Sequence, residues 1–509
     1  MSSYLSRRAL MRRALAGGTA LCMGRTSFAG SNRRAGVPAS EGKRNGTGGA
    51  SQVESLIQLL EETPRDQVLE AVGEKILEGA SYLDVLAALL LAGVREVQPR
   101  PTVGYKFHAV LAVISYHLIG EGLSERDRWL PVFWGIDYFK VAQASDAAEG
   151  DWKLDAVDEA AMPSAEDAGP ALVEAMDRWD ELSADRAAAT VARRLKPESA
   201  FELFYPLGAR DFRSIGHKAI FVMCAQRTLR LVGWEHAEPI LRSLAYALLM
   251  HEGGNPANRD DLADRPWRRN EGLVSRIRDD WTDGRPSSEA TTELLAVLRS
   301  GSYEDAADAV IERLDQAVSP SSVWDAIFCG AAELQLRLPN IVSLHAVTTT
   351  RAIHHAYQTT GRDQTRRLLL LQNAAMLPMF RDAAKQRGRL RDAPLEDLEP
   401  IAPEVSDEAA VREIFDDLAD KRRVAAQKIL GYLQSRRPAR LLVEGIRRLV
   451  AVKGDGTHDF KFTSAALESF RHVSTAWRGR YLACGAMHFC GPHQRENAVV
   501  ARTRAALGP

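Results

Sequence analysis

The chain has 509 residues, 45% of them hydrophobic and 26% charged, so it can bury a large core without disulfides or a structural metal. Lys and Arg number 66 against 67 Asp and Glu, which argues against a general electrostatic grip on nucleic acid or anionic lipid. No apolar run reaches the ~18 residues of a membrane-spanning helix. The five cysteines (Cys22, Cys224, Cys329, Cys484 and Cys490) form no Cys-x-x-Cys pair, which excludes a thioredoxin-like motif and a zinc ribbon.

The first forty residues carry Arg7, Arg8, Arg12, Arg13, Arg25, Arg33 and Arg34, with no acid before Glu41. A short apolar stretch, Ala14 to Met23, leads to Ser27-Phe28-Ala29, a small-x-small cleavage site. Basic, apolar and cleavable, in that order, is the anatomy of an export signal over residues 1–29; an Arg-rich organelle transit peptide is the rival reading. The Arg pairs in Ser6-Arg7-Arg8-Ala9-Leu10 and Met11-Arg12-Arg13-Ala14-Leu15 resemble the twin-arginine motif. That resemblance implies a periplasmic or extracellular protein exported already folded, as cofactor-bearing cargo often is.

Residues 30–50 offer little to bury and read as a linker. Helical signals begin at Ser51, where Ser51-Gln52-Val53-Glu54 has the capping-box pattern. Thr63-Pro64, Ser81-Tyr82-Leu83-Asp84, Ser302-Tyr303-Glu304-Asp305, Ser322-Val323-Trp324-Asp325 and Ser474-Thr475-Ala476-Trp477 read as further helix starts. No series of alternating strands appears, so the class is all-α, a multi-helical array or irregular bundle over 51–509. Polar stretches at 144–197, 253–290 and 382–408 separate four apolar blocks, and the last two are candidate points of division.

The blocks look alike. One opens Phe107-His108-Ala109-Val110, a second Gly216-His217-Lys218-Ala219, a third Leu344-His345-Ala346-Val347, and a weaker fourth His458-Asp459-Phe460. Each predicts a helix opening at a histidine, a short turn and a second helix: a hairpin used four times. The spacings of 109, 128 and 113 residues are too long and uneven for a short-period solenoid.

Several common sites are absent. There is no G-x-G-x-x-G, Walker loop, G-x-S-x-G or H-E-x-x-H. C-x-x-C-H and E-x-x-H are also missing, which removes covalent haem and the usual di-iron bundle. The histidines remain. Ligands to one ion must lie ~2 Å from it, so two on one helix need a spacing of three or four residues. His108 and His117 are nine apart, or ~13 Å along a helix axis; His345 and His355 are ten apart, or ~15 Å. A metal ion or haem must therefore gather ligands from different helices. The block-opening set of His108, His217, His345 and His458 is the natural candidate, with a buried structural histidine as the bland alternative. A first-turn position favours the neutral imidazole, the form that binds metal.

Glu333 shares a helix face with Cys329 and, if buried, is a candidate general base or ligand; a salt-bridged acid is the ordinary alternative. Asp137, between Trp134 and Tyr138, draws the same note. Cys484 and His488 lie one turn apart and suit a metal, with Cys490 or His493 closing the site. A Cys484–Cys490 disulfide or no site at all are the other readings.

The segments Gly216-His217-Lys218-Ala219-Ile220 and Leu344-His345-Ala346-Val347 are similar to stretches of the questin-oxidase-like helical family. Members of that family include oxygenases acting on polyketide aromatics, so the resemblance implies His217 and His345 as site residues. The chain has no visible nicotinamide-binding segment. Two functions follow: an oxidoreductase using a histidine-held metal or haem on an apolar small molecule, or a non-catalytic helical scaffold for a partner protein.

Overall fold

The computed structural model describes residues 48–99 and 107–508. The stretches read as an export signal with its cleavage site, and most of the expected 30–50 linker, lie outside them. Among the described residues every regular element is a helix, and the one β contact is an isolated bridge between Arg285 and Val318. Among them, no helix is long and apolar enough to cross a membrane. The all-α expectation therefore holds.

The helix starts hold in part. Ser81 and Ser302 cap their helices through full capping boxes with Asp84 and Asp305. Elsewhere the boundaries move. The first helix begins at Gly48, which puts Ser51 inside its first turn. Ser319, not Ser322, caps Pro320–Arg337, since Pro320 sits at the first helical position and its missing N–H costs nothing there. The Ser322 hydroxyl instead accepts from the Ser287 N–H at 2.8 Å. After Thr63-Pro64 the α-helix starts only at Val68.

The histidine-bearing segments occupy the centre. His108 opens a short helix, His108–Leu111, that runs on into Val113–Gly120. His217 is the first residue of His217–Val232, and His458 the second of Thr457–Ser469. His345 lies a full turn inside Ile341–Thr359, because Asn340 rather than the Leu344-His345 pair caps that helix. The His217 helix packs on the His345 helix, which packs on the His458 helix, which packs on Val113–Gly120, which returns to the His217 helix. This closed circuit brings segments more than a hundred residues apart into one ring.

Three of the expected hairpins form: Val113–Gly120 packs on Leu130–Glu149, the His217 helix on Ala237–Leu248, and the His345 helix on Asp363–Lys385. The fourth does not. The Ser474 N–H donates to Asp325 at 2.8 Å, which ties the connection to Pro320–Arg337. Arg478–Cys484 then packs on that helix and on Arg422–Gln434, while the His458 helix pairs with Ala439–Lys453. The apolar core is continuous from Val53 to Val499. The helix Val499–Ala506 packs on Val68–Leu77 and Leu130–Glu149, and Arg502 pairs with Glu70 at 2.7 Å, so segments more than four hundred residues apart meet.

A second device locks the ring. Glu468, on the His458 helix, accepts from Arg227 of the His217 helix at 2.7 Å and from Arg351 of the His345 helix. Burial pushes the Glu468 carboxyl up, but Arg351 and Arg227 outweigh it and hold it far below the carboxylate range. Glu468→Ala leaves the buried Arg351 without its partner. The expected loss is about 3–5 kcal/mol, read as a lower denaturation midpoint in urea; a change under about 1 kcal/mol would refute the lock.

Candidate metal centre

The backbone around three of the four histidines is set by local bonds at or near their helix starts. Before His217 the backbone takes three successive left-handed residues: Ser214 (φ 54°), Ile215 (φ 48°) and Gly216 (φ 81°). Such a turn is costly for Ser and for β-branched Ile, so its surroundings must enforce it. They do. The buried Asp211 carboxylate accepts the Arg213 N–H at 2.9 Å and the Lys218 ammonium at 2.8 Å, and Arg213 in turn pairs with Asp264 at 2.7 Å. The turn places the Ser214 carbonyl 2.6 Å from His217 Nδ1.

In the His345 helix, Asn340 Oδ1 accepts the N–H groups of Val342 and Ser343 at 2.9 and 3.1 Å. One turn on, His345 Nδ1 meets the Ile341 carbonyl at 2.6 Å. Asp459 fixes the start of the His458 helix by accepting from the N–H groups of Asp455 and Gly456 at 3.0 and 3.1 Å.

The four rings converge. His108, His217, His345 and His458 each offer one nitrogen, and these all lie within 4.8 Å of one another; among the described residues no other group of three or more ligand side chains does so. His217 Nε2 is 3.2 Å from His108 Nε2 and 3.0 Å from His345 Nε2. His458 Nε2 is buried without a hydrogen-bond partner, its ring 4.6 Å from that of His108.

Proton bookkeeping decides what this cluster can be. A carbonyl oxygen only accepts, so Nδ1 of both His217 and His345 carries its ring's proton. In the neutral rings both Nε2 atoms then hold lone pairs, and these face each other at 3.0 Å. His108 can donate to His217, but the facing lone pairs of His217 and His345 can be reconciled only by a shared proton or a cation. A proton is disfavoured. Burial, with the charge of Lys461, holds His217 well below the ordinary histidine range; burial, then His217 and Lys461, does the same to His345. Burial also pushes His458 down to about 3. The spacing suits a metal: nitrogens ~2.0–2.1 Å from a tetrahedral ion lie about 3.3–3.4 Å apart. Backbone carbonyls on the far ring nitrogens are also the usual outer support of metal-binding histidines.

No family model, no curated protein and no solved structure matches this chain.

The cluster forms one wall of a cavity of about 580 Å³. Trp134, Tyr138, Val141, Ile215, Ile341 and Val499 give it an apolar lining; Arg65, Asp137, Arg387 and Asp455 are its charged groups. Trp134 and Tyr138 stack with centroids 5.3 Å apart. Asp137 lies here, as a cavity wall paired to Arg65 at 2.7 Å.

The other candidates lie elsewhere. Glu333 is buried but fully engaged: it accepts from Arg299 at 2.8 and 2.6 Å and from the Leu395 N–H at 3.0 Å, and does not line the cavity. That is the salt-bridged reading. Cys484 donates its thiol to the Arg480 carbonyl at 3.2 Å, and the α-helix gives way after it to a tighter turn, Gly485–Met487, so His488 does not sit one α-helical turn above it. The His488 ring lies 5.1 Å from that of Phe462. Cys484 and Cys490 are free and buried, so they form no disulfide.

Sequence reasoning missed two parts. One is the left-handed turn at 214–216, which Gly216 alone could have hinted at. The other is Lys461, 2% exposed, its amine without a hydrogen-bond partner and pushed down to about 7 by burial. It stands three residues after His458, a spacing that puts both on one helix face.

Gly216 also lets the two central helices approach: a Cβ there would overlap the Thr349 side chain of the His345 helix. Gly216→Ala adds left-handed strain to that overlap. We expect a loss of about 2 kcal/mol or more in urea unfolding, where an unchanged midpoint would contradict the close approach.

Proposed function

We propose that His108, His217, His345 and His458 bind a single transition-metal ion, and that the protein is a metal-dependent oxidoreductase acting on an apolar molecule held in the adjoining cavity. One observation carries the metal: two imidazole lone pairs, fixed by their own backbone hydrogen bonds, face each other at 3.0 Å. Four nitrogens within 4.8 Å on one side of each other suit an ion and leave no plane for a porphyrin, which argues for metal over haem. An all-imidazole set accepts redox-active copper, iron and nickel as well as zinc. The cavity's apolar lining supports the substrate class. Export by the route that Arg7-Arg8 and Arg12-Arg13 suggest belongs to the same reading, since it would deliver the protein folded around its metal.

Metal analysis and an absorption spectrum of protein purified without chelator test this. One equivalent of a redox-active ion is expected. Zinc alone would keep the centre and remove the oxidoreductase; no stoichiometric metal would remove both. Sequencing the mature N-terminus tests export, with a start near Gly30 expected.

A further inference from the structure

We propose that the molecule this cavity presents to the metal is an acid bound as its anion, a carboxylate on an apolar body. The inference rests on reading the four histidines as a metal site and adds the ligand class.

Charge balance carries it. An imidazole ligand carries no charge, so a divalent ion held by these four would keep its whole charge. No carboxylate joins the ligand group. The surroundings add positive potential. The His217, His345 and His458 helices, of 16, 19 and 13 residues, all begin at the cavity, with Ser214, Ile215, Ile341, Gly456 and Thr457 in its wall. Their N-terminal ends favour anions.

The cavity's own charged side chains do not cancel this. Asp137 is taken by Arg65 at 2.9 and 2.7 Å. Asp455 is exposed to water, where its charge is screened. Arg387 lines the same cavity, is exposed to water like Asp455, and among the described residues pairs with no acid. An entering anion thus meets a water-screened guanidinium at the wall, and the ion's uncompensated charge at the end carries the larger share of the attraction. Its apolar body lies against Trp134, Tyr138, Ile215, Ile341 and Val499.

The test uses a matched pair of probes, cyclohexanecarboxylate and cyclohexanecarboxamide, which share a body and differ in charge. The full-length protein is loaded with cobalt(II), and one bound equivalent is verified by metal analysis. Each probe is then titrated while the cobalt absorption bands and tryptophan fluorescence are followed. The acid is expected to change the cobalt bands and to bind at least about tenfold more tightly than the amide. Arg387→Gln is expected to weaken the acid severalfold and leave the amide as it was. If cobalt binds at one equivalent but acid and amide bind alike, or the acid leaves the cobalt bands unchanged, the anion proposal is wrong and the metal site stands. If cobalt does not bind, the metal reading itself fails, and this inference fails with it.

Discussion

His345→Ala is expected to weaken divalent-metal binding at least about 100-fold and leave the helical circular-dichroism spectrum unchanged. His345 is 0% exposed, and its Nε2 is held against His217 by the bond from its Nδ1 to the Ile341 carbonyl. The backbone around it is set by the Asn340 cap, which the substitution does not touch. His217→Ala should match it in kind. Cys484→Ser and His488→Ala are the controls, because those side chains join no group of three ligands. Calorimetric titration with zinc separates the cases: equal losses in all four variants would mean that the geometry of the cluster is not what binds the ion.

The fold class was legible because helix periodicity and capping are local. Ser81 with Asp84, and Ser302 with Asp305, form the boxes that their spacing predicts. Boundaries were less legible where two signals compete within a few residues. At Ser319-Pro320-Ser321-Ser322 the proline fixes the start, and the later serine serves a neighbouring loop. The failed fourth hairpin has the same lesson at longer range: the Asp325 carboxylate captures the Ser474 N–H from 149 residues away, and no local pattern announces that.

The site was legible as a set of residues but not as a geometry. Repetition of an apolar segment opening on histidine picked out His108, His217, His345 and His458, and the four rings do meet. The helix-spacing rule helped by excluding every pair on one helix. Nothing in the chain told that three separate helix starts face one cavity, because that follows from the closed circuit of packing. Glu333 shows the limit of reading burial from a face. It is buried, yet Arg299 occupies both of its oxygens, and Arg299 lies on another helix. Lys461 was invisible for the opposite reason: a lysine on a helix face is ordinarily solvated, and only the packed ring strips it of water.

The same burial makes the metal-free protein acid-labile. Burial holds His354, His355 and His458 near about 3 and His488 near about 4, and places His217 and His345 well below the ordinary range. In the unfolded chain each titrates near about 6.5. Below that pH the unfolded state takes up protons that the folded state refuses, so stability falls as pH falls. Each group contributes about 1.5 kcal/mol of loss between pH 6.5 and 5, and the six together rival the whole stability of an ordinary domain. Lys461 acts in the same direction higher up: its burden is full below about 7 and fades as pH rises toward the unfolded value. Metal-free protein is therefore expected to unfold cooperatively near about pH 5, well above the usual range of carboxylate-driven acid unfolding. Saturating metal binds only the folded, neutral histidines and should move the midpoint down by about one pH unit. A pH titration followed by tryptophan fluorescence, with and without zinc, reads both effects. A midpoint below pH 4 that zinc does not move would show that these histidines are neither buried in their neutral form nor gathered on a metal.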